Sequence, residues 1–552
     1  QKALADNEKI LIYGDYDVDG VTSVSLLLLY LREHGGNVDY YIPERIREGY
    51  GLNKAAIERF AAGGVNLIIT VDSGITASDE VAFAAEYGID VVVTDHHECR
   101  EELPKAVAVV NPHRPDSVYP FAELAGVGVV FKLVCALEGN KNIARICSKY
   151  ADIASLGVDY VYLCPVFLSD DGMDKTYWSE RQIASGFENP KNPYRMKDYF
   201  AVDPEYGTKE DLINFVKRAH ELGLKVLFDL VYYHCGPNAV FLKEHPDFIQ
   251  RTPDGSPFTG EWAFPRLNFE NKALREYLYD NMLYWIQVCD VDGYRCDVGS
   301  LCPMDFWKEG IRRCRELKKD FFMVDECPPD GDEHTGFDAF YNFDWSTDTQ
   351  AILRGKKNAD ALPARYQSDI DGAPYHPLLL RALDNHDYAN DCMETRYEVN
   401  PGTEGVNAAL VLDALMDGVF FLYGGAEACD VHRNSIFYSR EHSAGRDCTV
   451  TWDTYLTENA VRRRALIRTL ISLRKTEPAL AGKDTAFIHV GEKTLVFTRG
   501  TGKDRLTVGV NLSDKEETVP VTLAGKTVLL MHNASYGEET KLGSFGYFVC
   551  KD

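Results

Sequence analysis

No run of apolar residues in this 552-residue chain approaches the roughly 20 needed to cross a bilayer. The longest, Val24 to Leu31, has the length of a buried helix, so no membrane partner is expected. The 14 cysteines form no CxxC pair and no regular spacing. That argues against a disulfide framework and for reduced thiols in a cytoplasmic protein. Basic residues are few beside acidic ones, 59 against 85, for a net charge of −26. A broad nucleic-acid surface rests on Lys and Arg and is disfavoured, although an acidic chain can still hold a local basic groove. No signal peptide, internal repeat or low-complexity tract is evident. The chain opens at Gln1 without Met and runs almost at once into a strand, so its true start is expected to lie elsewhere.

What is present has the proportions of a soluble globular protein, with 45% hydrophobic and 26% charged residues. The length calls for two or three domains. The first segment alternates short apolar strands with helices. Strands are predicted at Lys9 to Tyr13, Val38 to Ile42, Leu67 to Val71 and Asp90 to Thr94, and helices at Val21 to His34, Asn53 to Ala62 and Ser78 to Tyr87. Such a βαβ series gives a parallel sheet covered on both faces, with its chemistry at the carboxyl ends of the strands. A second series begins after about residue 140. It has strands at Tyr160 to Cys164, Lys225 to Asp229, Gly293 to Cys296, Phe321 to Val324, Ala339 to Phe343, Leu378 to Leu383 and Val419 to Tyr423. Helices are predicted at Lys209 to Leu222 and Leu274 to Cys289, and helices or long loops separate the other strands, which is a (β/α) barrel pattern. From about Lys483 the pattern is β only, at Ala486 to Val490, Thr494 to Arg499, Arg505 to Asn511, Thr527 to Met531 and Gly546 to Cys550.

In the first segment three motifs follow three strands. They are Gly14-Asp15-Tyr16-Asp17-Val18-Asp19-Gly20, Val71-Asp72-Ser73-Gly74-Ile75 and Thr94-Asp95-His96-His97-Glu98. Any one of them reads equally well as a helix cap or a solvated turn. Three in register at one sheet edge bring carboxylates and imidazoles together, a set that suits Mn²⁺ or a similar divalent ion. Two such ions activate water and clamp a phosphoryl group. With Val110 to Arg114 (VNPHR) and Leu124 to Leu133 (LAGVGVVFKL), these motifs make residues 1–157 resemble the DHH phosphoesterases, and within them the RecJ-type single-strand-specific exonucleases. The resemblance implies metal ligation (Mn²⁺ or Mg²⁺) by Asp17, Asp19, Asp72 and His96, with Asp15 and His97 close by, and single-stranded nucleic acid as the partner. In that family the segment after ASLG runs on to a fourth motif with a further aspartate. Here Ala154-Ser155-Leu156-Gly157 leads to Val158-Asp159-Tyr160-Val161-Tyr162-Leu163, with Asp159 out of register. The family's second, nucleic-acid-gripping domain is missing, so the metal site is expected to be incomplete.

The second segment carries four strand-end signatures in order. KVLFDLVYYH, Lys225 to His234, contains Asp229 and His234. VDGYRCDVGS, Val291 to Ser300, places Arg295 and Asp297 two apart on one strand and hence on one face. MVDEC ends on Glu326 and Cys327, and LDNHD carries His386 and Asp387. Singly each could be a structural ion pair. Together, at the ends of successive barrel strands, they supply two carboxyls to face a scissile glycosidic bond and an arginine to keep a nucleophile ionised. With DYFAVDPEYGTKEDL at Asp198 to Leu212, GVFFLYGGAE at Gly418 to Glu427 and SLRKTEPAL at Ser472 to Leu480, the pattern resembles the α-amylase superfamily of retaining α-glycoside hydrolases. The resemblance implies Asp297 as nucleophile, Glu326 as acid/base and Asp387 as transition-state stabiliser. Arg295, His234 and His386 become substrate-binding residues, and Asp229 a structural or substrate-site residue. An α-linked oligosaccharide or polysaccharide is the implied partner, and no cofactor is expected in the barrel. Retention requires the carboxyl carbons of Asp297 and Glu326 to lie about 5 to 6 Å apart.

The expected fold is therefore α/β in three parts. Residues 1–156 form an incomplete parallel-sheet DHH domain. Residues 157–480 form a (β/α)8-type TIM barrel lacking its first strand, since the end of the DHH-like segment stands where that strand belongs. Residues 481–552 form an antiparallel β-sandwich. The tetrapeptide ASLG fits both resemblances, and no Pro-, Gly- or Ser-rich linker separates the halves, as an evolved fusion of intact domains would have. The simplest account is an illegitimate joining of two unrelated genes, which also explains the absent Met. The leading function is α-glycoside hydrolysis or the related transglycosylation. The alternatives are a metal-dependent exonuclease on single-stranded DNA and a hybrid in which neither half works.

Overall fold

The computed structural model describes residues 2–44, 48–49, 51–100, 102–117, 124–137, 152–260, 262–329, 336–373, 375–388, 396–432, 450 and 454–551. Two compact units make up the chain, Gln1–Ala144 and Arg145–Asp552.

The first unit is built on five parallel strands: β1 (Ile10–Tyr13), β2 (Val38–Tyr41), β3 (Leu67–Val71), β4 (Asp90–Thr94) and β5 (Ala108–Val110), in the order β2-β1-β3-β4-β5. Alternation along β1 sends Leu11 and Tyr13 to one face and Ile10 and Ile12 to the other. Ile57 and Phe60 of helix Lys54–Ala62 and Val81 of helix Ser78–Glu86 cover the first face. Leu27 and Leu31 of helix Val18–Glu33 and Val130 of helix Gly126–Leu137 cover the second. Strand β5 is absent from the sequence expectation. It is three residues long at a sheet edge with two of its residues exposed, although Ala106 to Val110 is an unbroken apolar run. The strand order reverses beside β1 and β3, and the crevice at their carboxyl ends is where ligands bind in such sheets.

In the second unit β6 (Tyr160–Leu163) is followed by an antiparallel pair, β7 (Phe167–Ser169) with β8 (Met196–Val202). The parallel series continues through β9 (Lys225–Leu230), β10 (Gly293–Cys296), β11 (Phe322–Asp325) and β12 (Ala339–Phe340), giving the order β12-β11-β10-β9-β6. A single bridge, Phe340 to Leu379, leads on to β13 (Leu380–Arg381), which pairs with β14 (Val419–Phe420). The helices between are set by their caps. Thr208 and Asp211 form a reciprocal capping box for Lys209–Glu221, and Asn271 caps Lys272–Cys289.

Three of these strands are shorter than predicted. The strand expected at Ala339 to Phe343 stops at Phe340, because the Asn342 side chain accepts the Trp345 N–H and starts helix Phe343–Leu353. The strands expected at Leu378 to Leu383 and Val419 to Tyr423 pair over two residues each. Among the described residues no ladder joins β14 to β6. Burial follows the pairing: β10 is buried throughout, whereas β6 is half-buried at three of its four residues and β14 at both of its two. The segment leading into β6 packs on helix Glu458–Thr476. Leu156 lies in its core, Arg468 Nε donates to the Ser155 carbonyl and Lys475 pairs with Asp159.

The β-only tail is a six-stranded antiparallel sheet. It comprises β15 (Thr485–Val490), β16 (Thr494–Arg499), β17 (Leu506–Asn511), β18 (Glu517–Val519), β19 (Thr527–Ala534) and β20 (Thr540–Lys551), which pairs with β17, β18 and β19. Leu495, Phe497, Val508 and Val510 share one core with helix Gly402–Leu415, while Val496, Val519, Leu542 and Phe548 form a second.

A closed barrel has no edges. Among the described residues strands β6 and β14 each pair on one side only, both apolar and parallel, and such edges invite association. The chain as it stands is expected to be poorly soluble and weakly active. Inserting an amylase-type first strand and helix before Ala151 is expected to raise soluble yield, activity and the thermal midpoint together. A soluble, monomeric, fully active preparation of the unaltered chain would refute this.

Candidate active site and metal centre

The centre of the second unit is the guanidinium of Arg295, fully buried on β10. Its register partner on β9 is Asp229, and Nη1 donates to both Asp229 oxygens at 2.9 and 3.0 Å. The same nitrogen donates to Asp297 Oδ1 at 2.9 Å, and Nη2 lies 2.6 Å from Glu326 Oε1. One cation thus brings together the carboxylates at the ends of three adjacent strands. Backbone bonds from Asp297 N–H to Leu230 and from Glu326 N–H to Cys296 carry the sheet pairing out to these residues. Glu326 Oε2 accepts the Val298 N–H at 2.7 Å. That N–H is aimed by a left-handed backbone at Val298, φ 39°, a conformation that a β-branched residue adopts at a cost.

Burial and the charge of its partner push the Asp297 carboxyl well above the usual range, and burial raises Glu326 as well, with Arg295 countering both. Two close carboxylates resist double ionisation, so the pair is disposed to hold one proton between them. Asp229 is committed to the framework. Besides Arg295 it accepts hydroxyls from Tyr162 at 2.5 Å and Tyr194 at 3.0 Å. Tyr194 Oη lies 2.8 Å from His386 Nε2, and the two rings stack. Burial works against charge on His386, but Asp387, 3.4 Å away, and Cys164, which hydrogen-bonds it, push the imidazole up to about 10. Burial would likewise raise Asp387, yet His386 and Arg181 hold it below the usual carboxylate range. Arg181 Nη1 donates to Asp387 Oδ1 at 3.1 Å. His234 is buried and pushed down to about 4 by that burial. Its Nε2 faces the Tyr194 carbonyl at 3.0 Å, which leaves Nδ1 as the acceptor.

Strand-end motifs thus locate Asp229, Arg295, Asp297, Glu326, His386 and Asp387, and the structure gathers all six into one network; His234 joins it through the Tyr194 backbone. Tyr162, Cys164, Tyr194 and Arg181 belong to the network but carry no such signal in the sequence. Tyr162 sits on a predicted strand and reads as core, Cys164 closes that strand as one of many scattered cysteines, and Arg181 stands 206 residues from its partner.

In the first unit, Asp15 and Asp17 follow β1, Asp72 follows β3, and His96 and His97 follow β4. Ligand atoms of Asp15, Asp17 and Asp72 lie within 4.8 Å of one another, as do those of Asp72, His96 and His97. His96 Nε2 is 3.0 Å from Asp72 Oδ1 and 3.6 Å from Asp19 Oδ2. Asp19 also holds a helix in place, since its two oxygens accept the Gly126 and Val127 N–H groups at 2.7 and 2.8 Å, at the start of helix Gly126–Leu137. A Cβ at Gly126 would come within 2.6 Å of Asp72 Oδ1, so only glycine allows that helix so close. Asp95, to which the sequence motif alone assigns no role, is buried and accepts the Ile75 N–H, the backbone N–H groups of His96 and His97 and His97 Nδ1, which orients the His97 imidazole. Burial, then Asp19 and Asp17, push Asp72 up to about 7. A cluster of like charges with imidazoles fits a divalent cation, which would offset that repulsion. Asp159 takes no part in this cluster; it is ion-paired to Lys475 at 2.7 Å in the second unit.

Comparison with known proteins follows the same division. Residues 9–158 match the family model for the DHH family, N-terminal domain, and residues 138–254 that for the α-amylase catalytic domain. Over 157 residues the chain is 49% identical to the single-stranded-DNA-specific exonuclease RecJ of Bacillus subtilis, covering 28% of this chain and 19% of that protein. Over 435 residues it is 27% identical to the α-amylase MalA of Haloarcula japonica, covering 75% of this chain and 59% of that one. It therefore spans about a fifth of the first relative and three-fifths of the second. The crystal structure of an α-amylase from Lactobacillus plantarum superimposes with a TM-score of 0.61 at 24% identity, covering 74% of this chain and 95% of that one. The chain joins a segment similar to the DHH phosphoesterases to one with the fold and sequence likeness of the α-amylases.

Proposed function

We propose that the second unit is a retaining α-glycoside hydrolase acting on α-glucan or α-glucosidic oligosaccharides by double displacement. The observation that carries this reading is the shared guanidinium of Arg295, which both Asp297 and Glu326 contact at neighbouring strand ends. Asp297, ionised, attacks the anomeric carbon while Glu326 gives its proton to the leaving oxygen. Glu326, now a base, takes a proton from water, which displaces Asp297 from the sugar. Asp387, held ionised, binds ring hydroxyls, and His234 offers Nδ1 to another. Within the chain we assign the DHH-like part to residues 1–156, the barrel to 157–480 and the β tail to 481–552. The compact units part earlier, at Ala144 and Arg145.

A second reading applies to the first unit. The convergence of Asp15, Asp17, Asp72, His96 and His97, with Asp19 beside them, supports a metal-dependent phosphodiesterase acting on single-stranded nucleic acid. These residues would hold Mn²⁺ or Mg²⁺, which supplies Lewis-acid activation of water and neutralises phosphoryl charge. Asp95 fixes His97, and Asp19 ties the site to the helix behind it.

Hydrolysis of a chromogenic α-glucoside, run beside Mn²⁺-dependent release of nucleotides from single-stranded DNA, separates the two readings from a hybrid inactive in both. E326Q is expected to lose about 10² to 10⁴ in kcat on the glucoside, and D297N at least as much. The first-formed sugar should be the α anomer by NMR. An inverted product, or D297N within twofold of the parent, would end the glycosidase assignment.

The metal centre makes a separate prediction. Asp72 titrates near 7 in the folded chain against 3.8 unfolded. Between those values the unfolded form is ionised while the folded form keeps its proton, so metal-free stability falls as pH rises from about 4 to about 7. Hydrogen exchange of β1, β3 and β4 in EDTA should show this loss, D72N should flatten it, and added Mn²⁺ should reverse it in the parent alone. An equal slope in D72N would refute the assignment.

A further inference from the structure

Arg181 belongs to none of the four strand-end motifs. It lies on a short helix, Glu180–Ala184, in an excursion between β7 and β8. The base of this excursion is clamped by a buried ion pair, Asp170 with Arg195 at 3.3 Å. Asp170 also accepts the Gly172 N–H at 2.7 Å and the Asn238 N–H at 2.7 Å, and Arg195 donates to the Pro190 and Gly172 carbonyls at 3.0 Å each. The helix itself is fixed by the Ser179–Gln182 capping box, and Gln182 Nε2 reaches back to the Pro190 carbonyl at 3.1 Å. The buried Trp178 donates its indole N–H to Gly172. A loop braced at this many points delivers its arginine to one place, Asp387 Oδ1.

Asp387 needs such a tie. It follows β13, a two-residue strand joined to β12 only through the bridge from Phe340 to Leu379. Asp297 and Glu326 directly follow β10 and β11, which pair over four residues. Among the described residues, the groups facing Asp387 are His386 on its own segment, Arg181 from the excursion, Arg295 on β10, Glu326 after β11 and Tyr423 after β14. Of the three cations, Arg295 is engaged by Asp229, Asp297 and Glu326, and His386 donates toward Tyr194. Arg181 is the cation brought in from outside the sheet.

We infer that Arg181 is a positioning residue for the glycosidase reaction, the inserted excursion serving to hold the Asp387 carboxylate in place and ionised for the sugar hydroxyls. The inference rests on the glycosidase reading, and its test is built to fail separately. Three variants are compared with the parent, all checked for an unchanged thermal midpoint: Arg181→Gln, Arg181→Lys and, as a neighbouring exposed control, Glu180→Gln. On an α-glucoside, R181Q is expected to lose about 10- to 100-fold in kcat with a smaller change in KM, R181K to recover part of that, and E180Q to match the parent. Loss of the guanidinium is expected to raise the Asp387 carboxyl by about one pH unit, since an arginine beside an aspartate lowers its pKa by one unit or more. Carbon-13 titration of the Asp387 carboxyl, assigned with D387N, should show the same upward move without any substrate. Parent activity in R181Q overturns the inference, and so does an unmoved Asp387 titration. A parent chain that cleaves no α-glucoside ends the glycosidase reading alone, and the carboxyl titration then still decides whether Arg181 holds Asp387.

Discussion

A single buried cation organises the second unit's chemistry. Arg295 contacts Asp229, Asp297 and Glu326, so one almost fully buried positive charge faces three carboxyls. Full ionisation of all three would leave two uncompensated buried charges, which costs several kcal/mol each. Asp229 is already satisfied by the guanidinium and two tyrosine hydroxyls, so the remaining proton falls to the pair Asp297 and Glu326. One protonated and one ionised carboxyl across a bond is what double displacement requires. The charge balance of the site and its chemistry are thus the same constraint. Removing the guanidinium would strand buried carboxylates, so Arg295 cannot be separated into a structural and a functional part.

The first unit meets the same problem with a different solution. Its carboxylates also converge at strand ends, and Asp72 adopts a left-handed backbone, φ 55°, to reach the cluster, as Val298 does at φ 39° beside Glu326. There the compensation is imidazole and helix N–H groups, with Asp19 bound to the start of helix Gly126–Leu137. These are weaker than a guanidinium, and Asp72 keeps its proton up to about neutral pH. A site left this acidic is suited to take a further cation.

Much of this was legible in the sequence because both units place chemistry where an apolar strand ends. Ile10–Tyr13, Leu67–Val71 and Gly293–Cys296 announce themselves by hydrophobicity, and the polar residues that follow each are fixed in position by the sheet. Arg295 and Asp297, two apart, had to share a face. What the sequence could not convey is contact across long separations. Tyr194 reaches Asp229 and His386 from a loop whose local pattern is irregular, and Asp95 reads as one more acid in an acidic motif. The overlong strand at Ala339 to Phe343 is a competition that hydrophobicity alone cannot judge. Phe340, Tyr341 and Phe343 look like one run, but the Asn342 cap turns the chain into a helix between them.

The junction shows which of two claims on the same residues prevails. Residues 138–158 match both family models. In the fold, Leu156 is buried in the core shared by helices Gly402–Leu415 and Glu458–Thr476, Ser155 is bonded to Arg468, and Asp159 to Lys475. Residues 155–159 therefore pack with the second unit, and the aspartate nearest the place of a fourth metal motif becomes a surface ion-pair partner. The burden of the join falls on the sheet's ends rather than its middle. Strands β9, β10 and β11, paired on both sides, carry Asp229, Arg295, Asp297 and Glu326. The half-buried flanks carry Tyr162 on β6 and His386 and Asp387 beyond β13. The Tyr162 hydroxyl adds to the ladder that pairs β6 with β9, Tyr194 links His386 to Asp229, and Arg181 ties Asp387 to the excursion between β7 and β8. Among the described residues, the proposed catalytic set is thus held by a polar network as well as by strand pairing.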